Sequence, residues 1–362
     1  MPVILHTESS MGLGGQELRI LLEMEGLEES GFMSVLAARP GSRILEEARS
    51  RGLRVFQVEM HGSLDPLAVA AFVRLIKKER VDLVNTHGSK DGWSAGIAAR
   101  LLGSKVVRSR HIANPIRGHF FGRIVYGALC DRVVTTSESI KKGMVERGVP
   151  AQKIVSVPTG VDVRRFHPGV KKGILRAELG IDAKRPLVGM VSVLRGDKGP
   201  DVFVRAAEDV SHRLPDAAFV LVGDGWMRDI LGEMAATPAN RGRFFLTGHR
   251  MDIPQVLADL DLFVLSARAP EGVPQAVLQA HAMKVPVVTS DVGGINEVAI
   301  NGRTALCVPP GEHGALADAI VALLTDRPRA MNMAEAGYAL VQECYTQDDM
   351  LNKMESIYRA LL

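Results

Sequence analysis

Pro158-Thr159-Gly160-Val161-Asp162-Val163-Arg164-Arg165-Phe166-His167-Pro168-Gly169 breaks every periodicity around it. Its prolines and glycines fit neither an alternating nor a 3.6-residue pattern, which marks a linker. On both sides, short β-branched runs alternate with helix-length amphipathic segments, the sign of parallel βαβ units. Before the linker, strands are predicted at 3–7, 34–38, 54–58, 83–86, 105–109, 132–135 and 153–157, with helices over 15–29 and 66–78 among those between them. After it they are predicted at 187–193, 218–222, 243–246, 262–265, 285–289 and 305–308. The expected class is α/β, with two doubly wound Rossmann-like domains over 1–165 and 170–345. Residues 346–362 are expected as a C-terminal helix packing back toward the first domain. Ligands of such sheets lie at the carboxyl ends of the strands, so two facing sheets predict a cleft.

The 362 residues suit two such cores, and 46% hydrophobic with 23% charged residues is an ordinary globular balance. Cys130, Cys307 and Cys344 are too scattered for a disulfide framework or a metal motif, which suggests reduced thiols and a cytoplasmic setting. The N-terminus reads as a first strand rather than a secretory leader, and no stretch reaches the ~18 apolar residues of a membrane span. A net charge of +3 gives no case for nucleic acid. Between Arg100 and Pro150, however, ten Lys or Arg face three acids. Within that region residues 116–126 mix cations with large apolar side chains, as a peripheral segment on an anionic membrane does, although a core-packed helix with solvated cations has the same composition.

Three strand-to-helix loops carry the chemistry. Gly12-Leu13-Gly14-Gly15-Gln16-Glu17 could hold an anion on its amides. Glu17 stands where a dinucleotide fingerprint needs its third glycine, which argues against a nicotinamide enzyme. Arg195-Gly196-Asp197-Lys198-Gly199 sets two cations beside free amides, as a diphosphate requires, and lacks the spacing of a P-loop. Glu271-Gly272-Val273-Pro274-Gln275 runs into a helix, with Pro274 suited to its first turn and Gln279 able to bond sugar hydroxyls. His87, His111 and Asn114 follow strands and so point at the expected cleft, though a single histidine more often serves packing.

Taken in order, these motifs resemble the family 4 (group 1) glycosyltransferases over essentially the whole chain. The likeness rests on Gly14-Gly15, on Gly160-Val161-Asp162 with Phe166 and Pro168, on Lys198-Gly199, and on Val222-Gly223-Asp224-Gly225. It is completed by the segment from Glu271 to Gln279 and by Gly293-Gly294-Ile295-Asn296-Glu297. The resemblance implies a GT-B fold and a retaining, metal-independent hexosyltransferase. Such an enzyme moves a sugar from a nucleotide diphosphate, UDP- or GDP-linked, to a cell-envelope glycan or glycolipid such as lipopolysaccharide core. It needs no cofactor, and peripheral contact with the inner face of the membrane fits a glycolipid acceptor.

The implied catalytic set is His111, Glu271 and Lys198. Donor binding is expected at Gly15, Arg195, Lys198, Gly223, Arg250, Val273, Pro274, Gln275 and Gln279, and acceptor binding at Gly14, His87, Asn114 and Arg117. Two departures stand out: Gln279 replaces the family's second glutamate, and Arg195 lies three residues before Lys198 rather than five or six. Asp259-Leu260-Asp261 spells a metal motif of another fold, but its helix-to-strand position predicts a structural role. A 2-epimerase-like isomerase and a non-catalytic nucleotide-sugar-binding subunit are the alternatives. The first would alter the donor without an acceptor, and the second would bind it without turnover.

Overall fold

A computed structural model of the chain describes residues 1–111, 122 and 124–362. The chain divides into two compact units, Met1–Thr159 with Asp348–Leu362, and Gly160–Gln347. The first boundary falls at Gly160 rather than after Arg165, because Val161 already pairs with Thr346 in the second unit. Val161 accepts from Gln347 N and donates to Tyr345 O, both at 2.9 Å, so the two chain crossings are tied together.

The first unit is built on β1 (Val3–Glu8), β2 (Met33–Ala38), β3 (Arg54–Gln57), β4 (Leu83–Thr86), β5 (Lys105–Arg110), β6 (Arg132–Thr135) and β7 (Ile154–Ser156). All pairings are parallel, in the order β3-β2-β1-β4-β5-β6-β7. β1 is buried throughout, Leu5 packing into one core and Ile4 into another, as a central parallel strand covered on both faces must. The order reverses between β1 and β4, which makes that point the natural ligand crevice of this sheet.

Local chemistry sets the helix ends. The helix Gly15–Glu29 starts where the Glu17 carboxylate accepts the Gly14 N–H at 2.8 Å, one half of a capping box. The helix Pro66–Glu79 is capped by Asp65, which accepts from Leu67 N and Ala68 N, with Pro66 pre-setting the first turn. The last helix, Gln347–Arg359, inserts Met350, Met354 and Tyr358 against Ile4, Leu27, Phe32, Leu83 and Val107. Each fully buried side chain of this size contributes about 1.5–3 kcal/mol, so this helix is part of the first unit's core.

The second unit is built on β8 (Leu187–Val191), β9 (Ala218–Val222), β10 (Phe244–Gly248), β11 (Leu262–Leu265), β12 (Val287–Ser290) and β13 (Leu306–Val308), parallel in the order β10-β9-β8-β11-β12-β13. Its switch point lies between β8 and β11. Asp259 and Asp261 are consumed structurally at the base of this sheet. Asp259 accepts from Gly173 N and from Arg176 N, while Asp261 accepts from Leu187 N at 2.9 Å and pairs with Arg176 at 2.6 Å. No helix among the described residues is long and apolar enough to cross a membrane.

Candidate functional site

In the second unit the carboxyl ends of β8 and β11 bring Lys198 and Glu271 together. Gly199 makes this possible. Its φ of +63° is left-handed, and a Cβ there would run into the Ser266 carbonyl oxygen, so only glycine lets the Lys198 turn lie against the end of β11. Ser266 Oγ donates to Gly199 O at 2.7 Å, and Arg268 N donates to Asp197 O at 2.8 Å, which fasten the two loops. Lys198 Nζ then forms a short ion pair with Glu271 Oε2, both side chains being largely buried. Glu271 is held from behind by Gly294 N, which donates to its carbonyl at 2.8 Å.

The remaining polar atoms of this corner are conspicuous for what they lack. Glu271 Oε1, Ser192 Oγ and Gln275 Oε1 are buried without a hydrogen-bond partner. Buried polar atoms are rarely left so unless a ligand or water completes them. Gln275 Nε2 donates to Gly160 O at 3.1 Å. Gln279, one turn further along the helix Gln275–Ala282, is half-buried on the same face. Pro274 and Val273 are buried, and Pro274 is the extended capping residue just before the helix rather than part of its first turn. Its missing N–H is harmless in either place. Gly223 follows β9 with φ +139°, and a Cβ there would strike the Ser192 carbonyl, so it allows the β8 and β9 loops to touch.

Arg195 and Arg250 fall differently. Arg195 is half-exposed and forks onto Asp197 at 3.0 and 2.9 Å, so its cation is already partly neutralised. Arg250, expected to bind the donor, divides its half-buried guanidinium between Asp252, at 2.9 and 2.7 Å, and Glu178, at 2.7 Å. These bonds tie its loop to Asp252 and Glu178. Arg268, which belongs to no sequence motif, also lies near the Asp197–Lys198 turn. It forks onto the buried Asp201 at 2.9 and 2.6 Å beside the Lys198 loop.

In the first unit the switch point gathers histidines. His87 Nε2 lies 3.1 Å from His6 Nδ1, and His87 Nδ1 lies 3.0 Å from His111 Nε2. His87 was expected to reach an acceptor. Both its ring nitrogens are engaged by neighbouring histidines, and only 6% of its surface is exposed. Burial holds His87 and His111 well below the ordinary histidine value, and the Arg19 cation adds to it. His111 is half-buried at the carboxyl edge. Asp91 organises the neighbouring turn, accepting from Thr7 Oγ1, His87 N and Gly88 N at 2.9 to 3.0 Å. Burial, reinforced by the Asp91 carboxylate, pushes the Glu8 carboxyl up to about 8.

Gly14 and Gly15 open the helix after β1, with Gly14 N committed to Glu17 and open space at the Gly15 Cα. Asn114 and Arg117, and residues 116–121 and 123 of the basic apolar stretch, lie outside the described residues. Within the described part, Tyr126 sits against Arg108 and Arg110, whose guanidinium carbons are 4.8 and 5.7 Å from its ring centroid.

Comparisons with known proteins agree with this fold. Residues 13–165 match the model of Glycosyltransferase Family 4, and residues 171–340 that of the Glycosyl transferases group 1. The chain is 31% identical over 282 residues to the UDP-Gal:alpha-D-GlcNAc-diphosphoundecaprenol alpha-1,3-galactosyltransferase of Escherichia coli, covering 73% of this chain and 71% of that one. A glycosyltransferase from Rickettsia africae ESF-5 has the same fold, with a TM-score of 0.91 at 22% identity over 99% of this chain and 98% of that one. So does Anabaena Alr3699/HepE, solved in complex with UDP, with a TM-score of 0.87 at 21% identity over 99% of this chain and 100% of that one. Two matched halves in the expected order, together with a relative similar along most of its length, establish that the chain belongs to family 4 of the glycosyltransferases.

Proposed function

We propose that this glycosyltransferase is a retaining, metal-independent hexosyltransferase that takes its sugar from a nucleotide diphosphate and delivers it to a cell-envelope glycolipid. The observation that carries the reading is the Lys198–Glu271 pair at the switch point of the second sheet, flanked by unpartnered Glu271 Oε1, Ser192 Oγ and Gln275 Oε1. A lysine at a loop-to-helix turn is the point charge a departing diphosphate needs, and Glu271 Oε1 is an acceptor for a sugar hydroxyl. Bound UDP in the Anabaena relative supports a nucleoside diphosphate as the donor, and the diphosphoundecaprenol substrate of the Escherichia coli relative supports a lipid-linked acceptor.

In this mechanism the bond between the anomeric carbon and the β-phosphate oxygen breaks as the acceptor oxygen approaches from the same face. The leaving phosphate oxygen takes the acceptor proton, so no protein base is required. Lys198 offsets the charge growing on the diphosphate and Glu271 holds the sugar as its ring becomes cationic, while for His111 the family resemblance implies a contact to the transferred sugar. The donor and glycolipid are the partners, and association with the membrane is peripheral.

The deciding experiment incubates the protein with a panel of UDP- and GDP-linked hexoses and lipid-diphosphate saccharide acceptors, with EDTA present. Transfer with the anomeric configuration kept is expected. A donor converted to an isomer without acceptor, or bound without turnover, overturns the reading.

A further inference from the structure

His6 lies near the carboxyl end of β1, while His87 and His111 directly follow β4 and β5, and the registers set the three in a row. His6 on β1 lies opposite Asn85 on β4, so His87 is two residues nearer the carboxyl edge. Asn85 in turn lies opposite Val107 on β5, and His111 is two residues nearer again. Steps of two keep the strand residues on one face. The row therefore runs diagonally outward, from the wholly buried His6 through His87 to the half-buried His111.

Its contacts run head to tail. The ring centroids are 5.4 and 5.3 Å apart and the planes differ by 14° and 28°. Each centroid separation exceeds the corresponding nitrogen-to-nitrogen distance by about one ring width. The nitrogens therefore point at one another along the line of centres, and these are in-plane hydrogen bonds rather than face-on stacks.

Each contact holds one proton, so the rings cannot choose tautomers independently. Burial depresses all three histidines and favours neutral rings, although Glu23 opposes it at His6. With one proton per ring, two ordered arrangements remain. In the first, every proton is on Nδ1, and His6 Nε2, which is buried without a partner, is a bare acceptor. In the second, every proton is on Nε2, and the same atom becomes an unpaired buried N–H. Orphaned buried donors are the rarer of the two, so the first arrangement wins. It leaves the outward Nδ1 of His111 carrying a hydrogen, and among the described residues that atom has no partner.

We infer that His6 and His87 are positioning residues that lock His111 as a neutral Nδ1–H donor, aimed at an uncharged oxygen of the transferred sugar. The last step rests on the reading of His111 as a sugar contact. The tautomer lock itself does not. A neutral N–H donor suits an uncharged hydroxyl.

The test is the two-bond 1H–15N spectrum of the full chain labelled with 15N-histidine at neutral pH. All three rings are expected as Nδ1–H tautomers, and a charged or Nε2–H His111 overturns the inference. His6→Leu removes the anchor, so His111 is expected to show mixed tautomers and kcat to fall roughly 10-fold with little change in donor KM. In His6→Asn the side-chain amide can donate in place of Nδ1, restoring both. If His6→Leu fails to fold, the wild-type spectrum still decides. A locked His111 in a protein whose His111→Ala variant keeps full activity would overturn the sugar contact and leave the lock standing.

Discussion

Lys198 and Glu271, 73 positions apart, meet in an ion pair that leaves Glu271 Oε1 buried and unpartnered. Each therefore depends on the other even before a donor binds. Lys198→Ala should lower kcat/KM for transfer by about 100-fold or more, the scale of one lost donor to a charge that develops in the transition state. It should also weaken folding, because it strands a largely buried carboxylate. Glu271→Gln should keep the fold, read by urea denaturation, while losing most transfer. Retention of transfer within a factor of two in Lys198→Ala would remove the proposed centre.

Gly199→Ala tests the turn that delivers Lys198. The left-handed backbone alone costs a non-glycine residue about 1–2 kcal/mol, and the added Cβ must also displace the Ser266 carbonyl. A loss of at least about 2 kcal/mol in chemical denaturation is expected, together with a fall in activity matching that of Lys198→Ala.

Gln279→Glu restores the carboxylate that the family pattern carries here. A hydrogen bond to a charged acceptor is stronger than one to an amide by roughly 1 kcal/mol, so donor affinity by calorimetry should tighten about five-fold. Unchanged or weaker binding would mean that Gln279 does not touch the nucleotide sugar.

Stability should depend on pH in two opposed ways. His6, His87 and His111 have folded values below the unfolded 6.5, so the unfolded chain binds more protons in acid. Their contribution is present above about 6.5 and is lost as pH falls below it. Glu8 is raised from 4.5 to about 8, so its contribution is full below 4.5 and lost as pH rises through about 8. Urea midpoints should show Glu8→Gln flattening the alkaline decline without altering the acid one. An unaltered alkaline slope in that variant would rule Glu8 out as its source.

The strands were legible because parallel sheets bury continuous β-branched runs, and 83–86, 132–135, 218–222 and 262–265 match their observed limits. The errors have local causes. The strand predicted to begin at residue 285 begins at Val287, after Pro286, which has no N–H to give a ladder. The strand predicted to run to residue 193 stops at Val191, because Ser192 and Leu194 donate to Val222 and Asp224 in the β9 turn. Lys198 and Glu271 were legible as motif residues, whereas their meeting depends on Gly199 and Ser266, which no periodicity links. His6 reads as an ordinary residue of an apolar strand. Only the register of three strands distant in sequence puts it in line with His87 and His111.

The C-terminal helix lends Met354 and Tyr358 to the core of the first unit, so residues 160–347 are an insertion within that unit's sequence. On the ribosome, the inserted unit is complete in sequence and free to fold while the first still lacks one wall. Until residues 348–359 emerge the N-terminal sheet is partly uncovered, so pulse proteolysis of stalled nascent chains is expected to cut the first unit more readily before that point than after it.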